Sequence, residues 1–255
     1  MLKRVPPLTS MLLAGLLILA PPEGNAKDVV VTAYQDTKPK FLLDDHGNAS
    51  GVCPEILNAI EAQDPSIYFS KPINFMPIKR IYKSMKTGRV HVYCGSGRNH
   101  YREENFIFSK YPLYKVSTSM VVSKKLAGKF KTLEDIKSNK NLLFTTVNGS
   151  SSERLLNELN FPTTRHFIMT VEKGLSLVKV YPKEVFTYHS LGLKYSMKNT
   201  KRWGSLKLLD LTLRDYEHWL LYSNVLPENK RERIDKAILE LKKKGIIERI
   251  ITKYQ

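Results

Sequence analysis

Hydrophobic and polar positions change period several times along the chain. Asp28 to Tyr34, DVVVTAY, is a β-branched run bounded by Asp, Lys and Pro, and predicts a first strand. Asp44-Asp45-His46-Gly47-Asn48 is turn chemistry, and Pro54 then opens a predicted helix, PEILNAIEAQ. Ile73-Asn74-Phe75 predicts a short second strand. Pro77 begins an amphipathic helix, PIKRIYKSMKTG, that closes at Gly88, and Arg89 to Tyr93 alternates as a third strand. Beyond Tyr111-Pro112 the texture changes. Ser117 to Ser123 reads as a strand crossing between two halves, Thr132 to Asp135 as the start of a short helix, and Leu142 to Val147 as a strand. Asn148-Gly149-Ser150-Ser151 is then a turn, Glu153 to Leu159 a helix, and Val185 to Tyr188 another strand. Glu228 to Tyr254 is helical and basic, interrupted at Gly245. Alternating strands and helices with short connections predict an α/β fold with mostly parallel sheets.

Composition narrows the class. The chain has 255 residues, 42% hydrophobic and 25% charged, with 13 Gly and 13 Pro. Those are globular values, which exclude fibrous and low-complexity architectures. No period of 20–50 residues repeats, which excludes solenoids and propellers.

The N-terminus has its own logic. Lys3 and Arg4 precede the apolar run Met11 to Ala20, followed by Pro21-Pro22 and the small-residue exit Gly24-Asn25-Ala26. Positive, apolar, then small is the pattern of a secretory signal peptide, expected over residues 1–26 with cleavage near Ala26. No later stretch approaches eighteen apolar residues, so a soluble, periplasmic mature protein is expected. Export bears on Cys53 and Cys94. In an oxidising compartment a pair of cysteines favours a disulfide, and two separately buried thiols are the competing reading.

The net charge is +17, and removing residues 1–26 takes away Lys3, Arg4 and Glu23 to leave +16. Such a surplus favours anionic ligands, or anionic lipid or cell-wall polymers as neighbours. A solvated basic face competes with that reading, and Lys242-Lys243-Lys244 looks like one. No helix-turn-helix, zinc or RNA-binding signature is present, so nucleic acid is not an expected partner.

Five stretches, taken in order, resemble the family 3 extracellular solute-binding proteins, the periplasmic receptors of ABC importers for polar amino acids. They are GVCPEILNAI (51–60), PIKRIYKSMKTGRVHVYCG (77–95), RNHYREENFIFSKYPLY (98–114), VNGSSSERLL (147–156) and the tail RIDKAILELKKKGIIERIITKY. The third is the most specific: the family shows Thr-x-x-Arg with Phe-Ser six residues after the arginine, matched by Arg102 and Phe108-Ser109.

The resemblance implies a type II periplasmic-binding-protein fold, with two α/β lobes joined by two crossing strands and a ligand cleft between. Residues 27–113 and 218–255 would form lobe 1, and 114–217 lobe 2. It also implies a monomer without a cofactor that closes on a small-molecule ligand and serves an inner-membrane ABC permease. Arg102 is the arginine that holds the ligand's α-carboxylate in a bidentate fork, chemistry that a planar, permanently charged guanidinium suits. The competing reading is a surface arginine paired with Glu103 or Glu104.

Gly95 and Gly97 would let backbone approach the ligand and offer N–H groups. Ser150 and Ser151, where a strand becomes a helix, would supply hydroxyls and helix N-terminal amides, or act only as an ordinary cap. Tyr34 and Phe41 would wall the ligand's side chain, or else pack in the core.

The departures matter too. Asn99 stands where the family has Thr, and Cys53 and His91 where it has Asp. Cys53 and Cys94 each end a strand unit in the same lobe, which suits a disulfide beneath the cleft floor. His189 stands where the amino-acid receptors place an Asp that pairs the ligand's α-ammonium. A neutral imidazole does not repay an ammonium's desolvation as a carboxylate does, so an ordinary free α-amino acid is not the expected ligand. Two other functions compete on the same fold: a module that senses ligand and acts in trans on a membrane partner, and a secreted dehydratase. The second requires an acid or base in the cleft, from His189, His91, Glu55 or Glu184.

Overall fold

The computed structural model describes residues 28–161, 168–198 and 200–255. The expected signal peptide, residues 1–26, lies outside the described residues. The strands are β1 (Asp28–Val30), β2 (Leu42–Leu43), β3 (Ala49–Ser50), β4 (Ile67–Phe69), β5 (Val92–Ser96), β6 (Ile107–Phe108), β7 (Tyr114–Ser123), β8 (Leu143–Thr145), β9 (Glu184–His189) and β10 (Leu206–Tyr222). The helices are α1 (Val52–Gln63), α2 (Ile78–Lys86), α3 (His100–Asn105), α4 (Lys124–Ala127), α5 (Leu133–Lys137), α6 (Ser151–Glu158), α7 (Val171–Val180), α8 (Ser190–Met197), α9 (Thr200–Trp203), α10 (Glu228–Lys243) and α11 (Ile246–Lys253).

Two α/β lobes are joined by a ribbon of β7 and β10, which run antiparallel from Leu206↔Ser123 to His218↔Tyr114. The six-stranded sheet has the order β5-β10-β7-β9-β8, with β6 beside β10. Tyr114 and Val116 of β7 pack into the first lobe's core, with Ile56 and Ile60 of α1 and Ile234, Ile238 and Leu241 of α10. Four residues further along the same strand the environment changes to the second lobe.

There Met120 and Val122 enter a core with Phe144, Leu156 and Val185, while Val121 enters another with Leu175, Phe186 and Tyr188. Successive strand residues point to opposite faces, so two cores on either side of one sheet follow directly. Both faces are covered by helices, which is why β9 reads as an unbroken buried run rather than an alternation.

The C-terminal helices return to the first lobe. Arg233 of α10 donates to Asp64 at 3.0 Å and to Asp28 at 2.9 Å, tying α10 to α1 and β1. Among the described residues no helix is long and apolar enough to cross a membrane.

Several sequence expectations shift. The second strand is Ile67–Phe69, parallel to β1, and not Ile73–Phe75, where Phe75 makes one isolated bridge to Tyr34. Pro72 and Pro77 bracket that stretch and cannot donate to a ladder. The third strand begins at Val92 because the Arg89 and Val90 N–H groups still point back to Ser84 O at the end of α2. The sheets are not mostly parallel: β1–β4 and β8–β9 are, whereas every β10 pairing and β7–β9 are antiparallel. No strand is predicted across Leu206–Tyr222, yet β10 is the longest in the protein. Its alternation is interrupted, and register shifts at Leu208/Thr212 and Thr212/Arg214 accompany the interruption.

Candidate functional site

The cavity between the lobes is a small one, about 40 Å³. Its first-lobe wall begins with α1. The Val52 and Cys53 N–H groups at that helix's start donate to Pro39 O (3.0 Å) and Lys40 O (2.9 Å), which pins the preceding loop. Cys53 is then disulfide-bonded to Cys94 of β5, with the Cα atoms 5.7 Å apart. The free-thiol reading is thereby excluded, although Cys53 sits in the first turn of a helix and not at a strand end.

These two ties hold the Lys40 side chain along β5. Its Nζ donates to Gly95 O at 3.0 Å and to Tyr93 Oη at 3.3 Å, and Tyr93 Oη donates onward to Gln35 Oε1 at 2.6 Å. Lys40 is only 6% exposed. Burial, with the Arg102 charge adding repulsion, pulls its ammonium down to about 7.

After β5 the chain passes Gly97 and enters α3, whose cap is Asn99: its side chain accepts from Arg102 N at 3.0 Å. Asn is among the favoured residues for such a cap. The cap turns Arg102 inward. It is also 6% exposed and pairs with neither Glu103 nor Glu104, which engage Arg98 and His100 instead. Its Nε donates to Tyr82 Oη at 2.7 Å, and its Nη1 donates to Gly97 O at 2.6 Å and to Ser151 Oγ at 3.4 Å. Nη2 makes no hydrogen bond among the described residues, so one edge of a rigidly braced fork is left over.

Gly95 and Gly97 were expected to present N–H groups; their observed use is as carbonyl anchors for the two cations. Gly95 has φ +79°, and a Cβ there would lie 2.8 Å from Lys40 Cδ and 3.2 Å from Cys53 Sγ. A Cβ on Gly97 would lie 3.2 Å from the Tyr216 ring and 3.5 Å from Ser151 Oγ, so this glycine sits where the lobes meet.

The second-lobe wall is the turn from β8 into α6. Ser150 is the N-cap: its Oγ accepts from Glu153 N at 3.3 Å, while Glu153 Oε2 accepts from Gly149 N at 2.6 Å. The reciprocal bonds set the first turn of α6, whose N–H groups at Ser151 and Ser152 have no partner inside the helix. Both serines line the cavity.

Tyr188 and His189 of β9 and Tyr216 and His218 of β10 complete it. His189 Nδ1 accepts from Gly192 N at 3.0 Å, so the ring's proton resides on Nε2, which is buried without a partner. Burial, with Lys40 nearby, lowers the His189 pKa to about 3; His218 is likewise held well below the usual histidine value. Their rings are edge to face, 5.7 Å apart.

The structure thus brings Gly95, Gly97, Arg102, Ser150, Ser151 and His189 around one cavity. Tyr34 and Phe41 stand apart from it. They stack on each other in the first lobe's core with ring centroids 5.0 Å apart. Of the groups considered for acid or base chemistry only His189 reaches the cavity. His91 accepts from Val31 N, Glu55 meets Lys253, and Glu184 accepts from Thr145 Oγ1.

Lys40, Gln35, Tyr82, Tyr93, Tyr216 and His218 went unread in the sequence. Tyr216 and His218 share a face two residues apart in one strand, a legible signal once β10 is recognised. Lys40 carries no comparable signal, since lysines in basic chains are overwhelmingly solvated.

Two α/β lobes, a two-strand hinge and a polar cleft between them define a type II solute-binding fold. The chain belongs to the bacterial extracellular solute-binding proteins, family 3, whose family model matches residues 29–255. No curated protein sequence matches it significantly.

Solved structures share the fold at low identity. The GluR0 ligand-binding core from Nostoc punctiforme, in complex with L-glutamate, superposes with a TM-score of 0.72 at 18% identity, covering 88% of this chain and 98% of that one. The amino acid ABC transporter substrate-binding protein AbpA from Streptococcus pneumoniae, bound to L-arginine, gives 0.71 at 18%, covering 90% and 94%. The ancestral amino acid-binding protein AncCDT-1, a precursor of cyclohexadienyl dehydratase, gives 0.71 at 16%, covering 90% and 96%.

Proposed function

We propose that this protein is an exported receptor that captures a small carboxylate-bearing solute between its lobes and delivers it to an ABC permease of the inner membrane. One observation carries the reading. Among the described residues that line the cavity there are two buried cations, Lys40 and Arg102, together with serines, tyrosines and histidines, and no Asp or Glu. A water-poor site of cations and hydrogen-bond donors favours an anion, because fixed dipoles and charges replace its lost hydration. Arg102, held by Tyr82 and Gly97, keeps its Nη2 edge for a carboxylate. The α6 first turn and His189 Nε2–H supply neutral donors from the other lobe, and hinge closure brings the two sets together.

Export is supported by the N-terminal pattern, by the disulfide and by the family's extracellular character. The AbpA and GluR0 structures were solved with amino acids bound, which makes carboxylate-bearing solutes of that size the natural first panel.

A thermal-shift screen of refolded, ligand-stripped protein against amino acids, mono- and dicarboxylates, amines and cyclic acids tests the reading. Ligand at about 100 times its Kd should stabilise by about 2.7 kcal/mol. Acids should score, amines should not, and Arg102→Ala should abolish the response with the empty protein's melting curve preserved. Hits confined to amines would overturn the assignment. Mass spectrometry returning the bound acid unchanged separates receptor from enzyme. Uptake of labelled ligand in cells with and without the gene separates transport from sensing.

A further inference from the structure

Resting on the carboxylate reading above, we propose that the ligand is a dianion, a short dicarboxylate lacking an ammonium group, with one carboxylate held by Arg102 and the α6 first turn and the other by Lys40 and His189. The two cations are separately anchored. Lys40 Nζ is fastened to Gly95 O and Arg102 Nη1 to Gly97 O. Two residues of backbone span at most about 7 Å, so two fixed positive groups lie within the reach of one small molecule.

Each cation is fully committed to its place yet incompletely satisfied. Lys40 donates to two oxygens and has a third N–H, and Arg102 has its free Nη2. Among the described residues neither has a carboxylate partner in the cavity. Two like charges buried together without a counter-charge are unfavourable, and a single carboxylate neutralises only one of them. An ammonium would enter a cavity whose described walls offer it no carboxylate and already hold Lys40.

The remaining groups agree. The buried, unpartnered His189 Nε2–H and Ser96 Oγ are neutral groups able to donate to a carboxylate oxygen. Two anchored cations call for two negative charges, which one carboxylate does not supply.

The test is calorimetric titration of the purified protein with succinate, glutarate and adipate, with glutarate monoamide, L-glutamate and inorganic phosphate as comparators. A diacid is expected to bind at least tenfold more tightly than the monoamide, than L-glutamate and than phosphate. In Lys40→Met, with folding verified by its melting curve, the diacid-to-monoamide ratio should collapse below threefold. A monoamide or L-glutamate within threefold of the best diacid in the unmodified protein would overturn the dicarboxylate and leave the carboxylate reading standing, and phosphate binding more tightly than all three diacids would overturn both. No acid binding at all would overturn both.

Discussion

Arg102 and Ser151 meet across the cleft: Nη1 of the guanidinium, already donating to Gly97 O at 2.6 Å, lies 3.4 Å from Ser151 Oγ. The contact joins α3 of the first lobe to the first turn of α6 in the second, at the place where a ligand carboxylate would lie. It links the two lobes directly through Arg102.

Ser151→Ala should weaken ligand binding by about two- to tenfold, the range of one net hydrogen bond of 0.5–1.5 kcal/mol. The melting temperature of the empty protein should stay unchanged, since Ser150 and not Ser151 caps α6. Calorimetry with the best acid from the screen, beside a ligand-free melt, checks both. A stability loss without an affinity loss would place Ser151 in the helix and outside the binding event.

The two site glycines should separate cleanly. At Gly95 the left-handed backbone and the close Lys40 Cδ make Ala costly to the fold, by about 1–3 kcal/mol, a range typical of strained backbone. At Gly97 the added methyl meets the Tyr216 ring and approaches Ser151, so it obstructs closure rather than folding. Gly97→Val should lower affinity at least tenfold with little change in the empty protein's melt. Small-angle scattering should show that ligand no longer compacts it.

Binding should depend on pH through Lys40. Its ammonium sits at about 7 in the empty protein, against 10.5 ordinarily. Between those values the unfolded chain carries a proton that the folded chain lacks, so this residue makes the empty protein more stable as pH rises from about 7 towards 10. An anion beside Lys40 restores its charge, so binding above pH 7 takes up a proton and affinity falls as pH rises.

The other facing groups do not mimic this. His189 and His218 remain neutral, and Tyr93 is pushed well above its ordinary value. Titration in buffers of different ionisation enthalpy should report uptake approaching one proton at pH 8.5 and close to none at pH 6. Affinity flat across that range would detach Lys40 from the ligand. Below pH 6.5 His189, lowered to about 3, acts on stability in the same sense as Lys40: the unfolded chain binds the extra proton, so stability rises with pH and falls with acid.

The Cys53–Cys94 bridge should be worth about 3–4 kcal/mol for a loop of this length. At roughly 2–4 °C per kcal/mol for a chain of this size, reduction should lower the melting temperature by about 5–15 °C. Affinity should fall as well, because the bridge fixes α1 against β5 on either side of Lys40. Melts and titrations with and without reductant test this, and unchanged binding by the reduced protein would show that Lys40 is placed without the bridge.

Much of this was visible in the residues themselves. Local rules decide where helices begin and end, so Gly88, Gly149-Ser150-Ser151 and Gly245 marked their boundaries in a linear reading, whereas Pro54, expected to open α1, is the third residue of a helix that starts at Val52. Arg102 was legible because its spacing to Phe108-Ser109 resembles a family pattern, and the cysteine pair because export and number constrain its chemistry. The strand partners were not. β10 pairs with β5, β6 and β7, and that antiparallel ribbon depends on contacts between residues a hundred positions apart, which no local period encodes.

The fate of polar side chains was likewise a tertiary decision. Tyr34 and Phe41 share the composition of a ligand wall and went to the core, while Lys40, one of 41 basic residues, was buried in the cleft. Burial follows from which surfaces meet when two lobes and a hinge assemble. The sequence by itself determined most of the elements, the family and one arginine of the cavity. Only the folded chain set a second cation, Lys40, against Gly95 of β5 and left no Asp or Glu among the described residues that line the cavity, because charge balance inside a cleft is a property of neighbours in space.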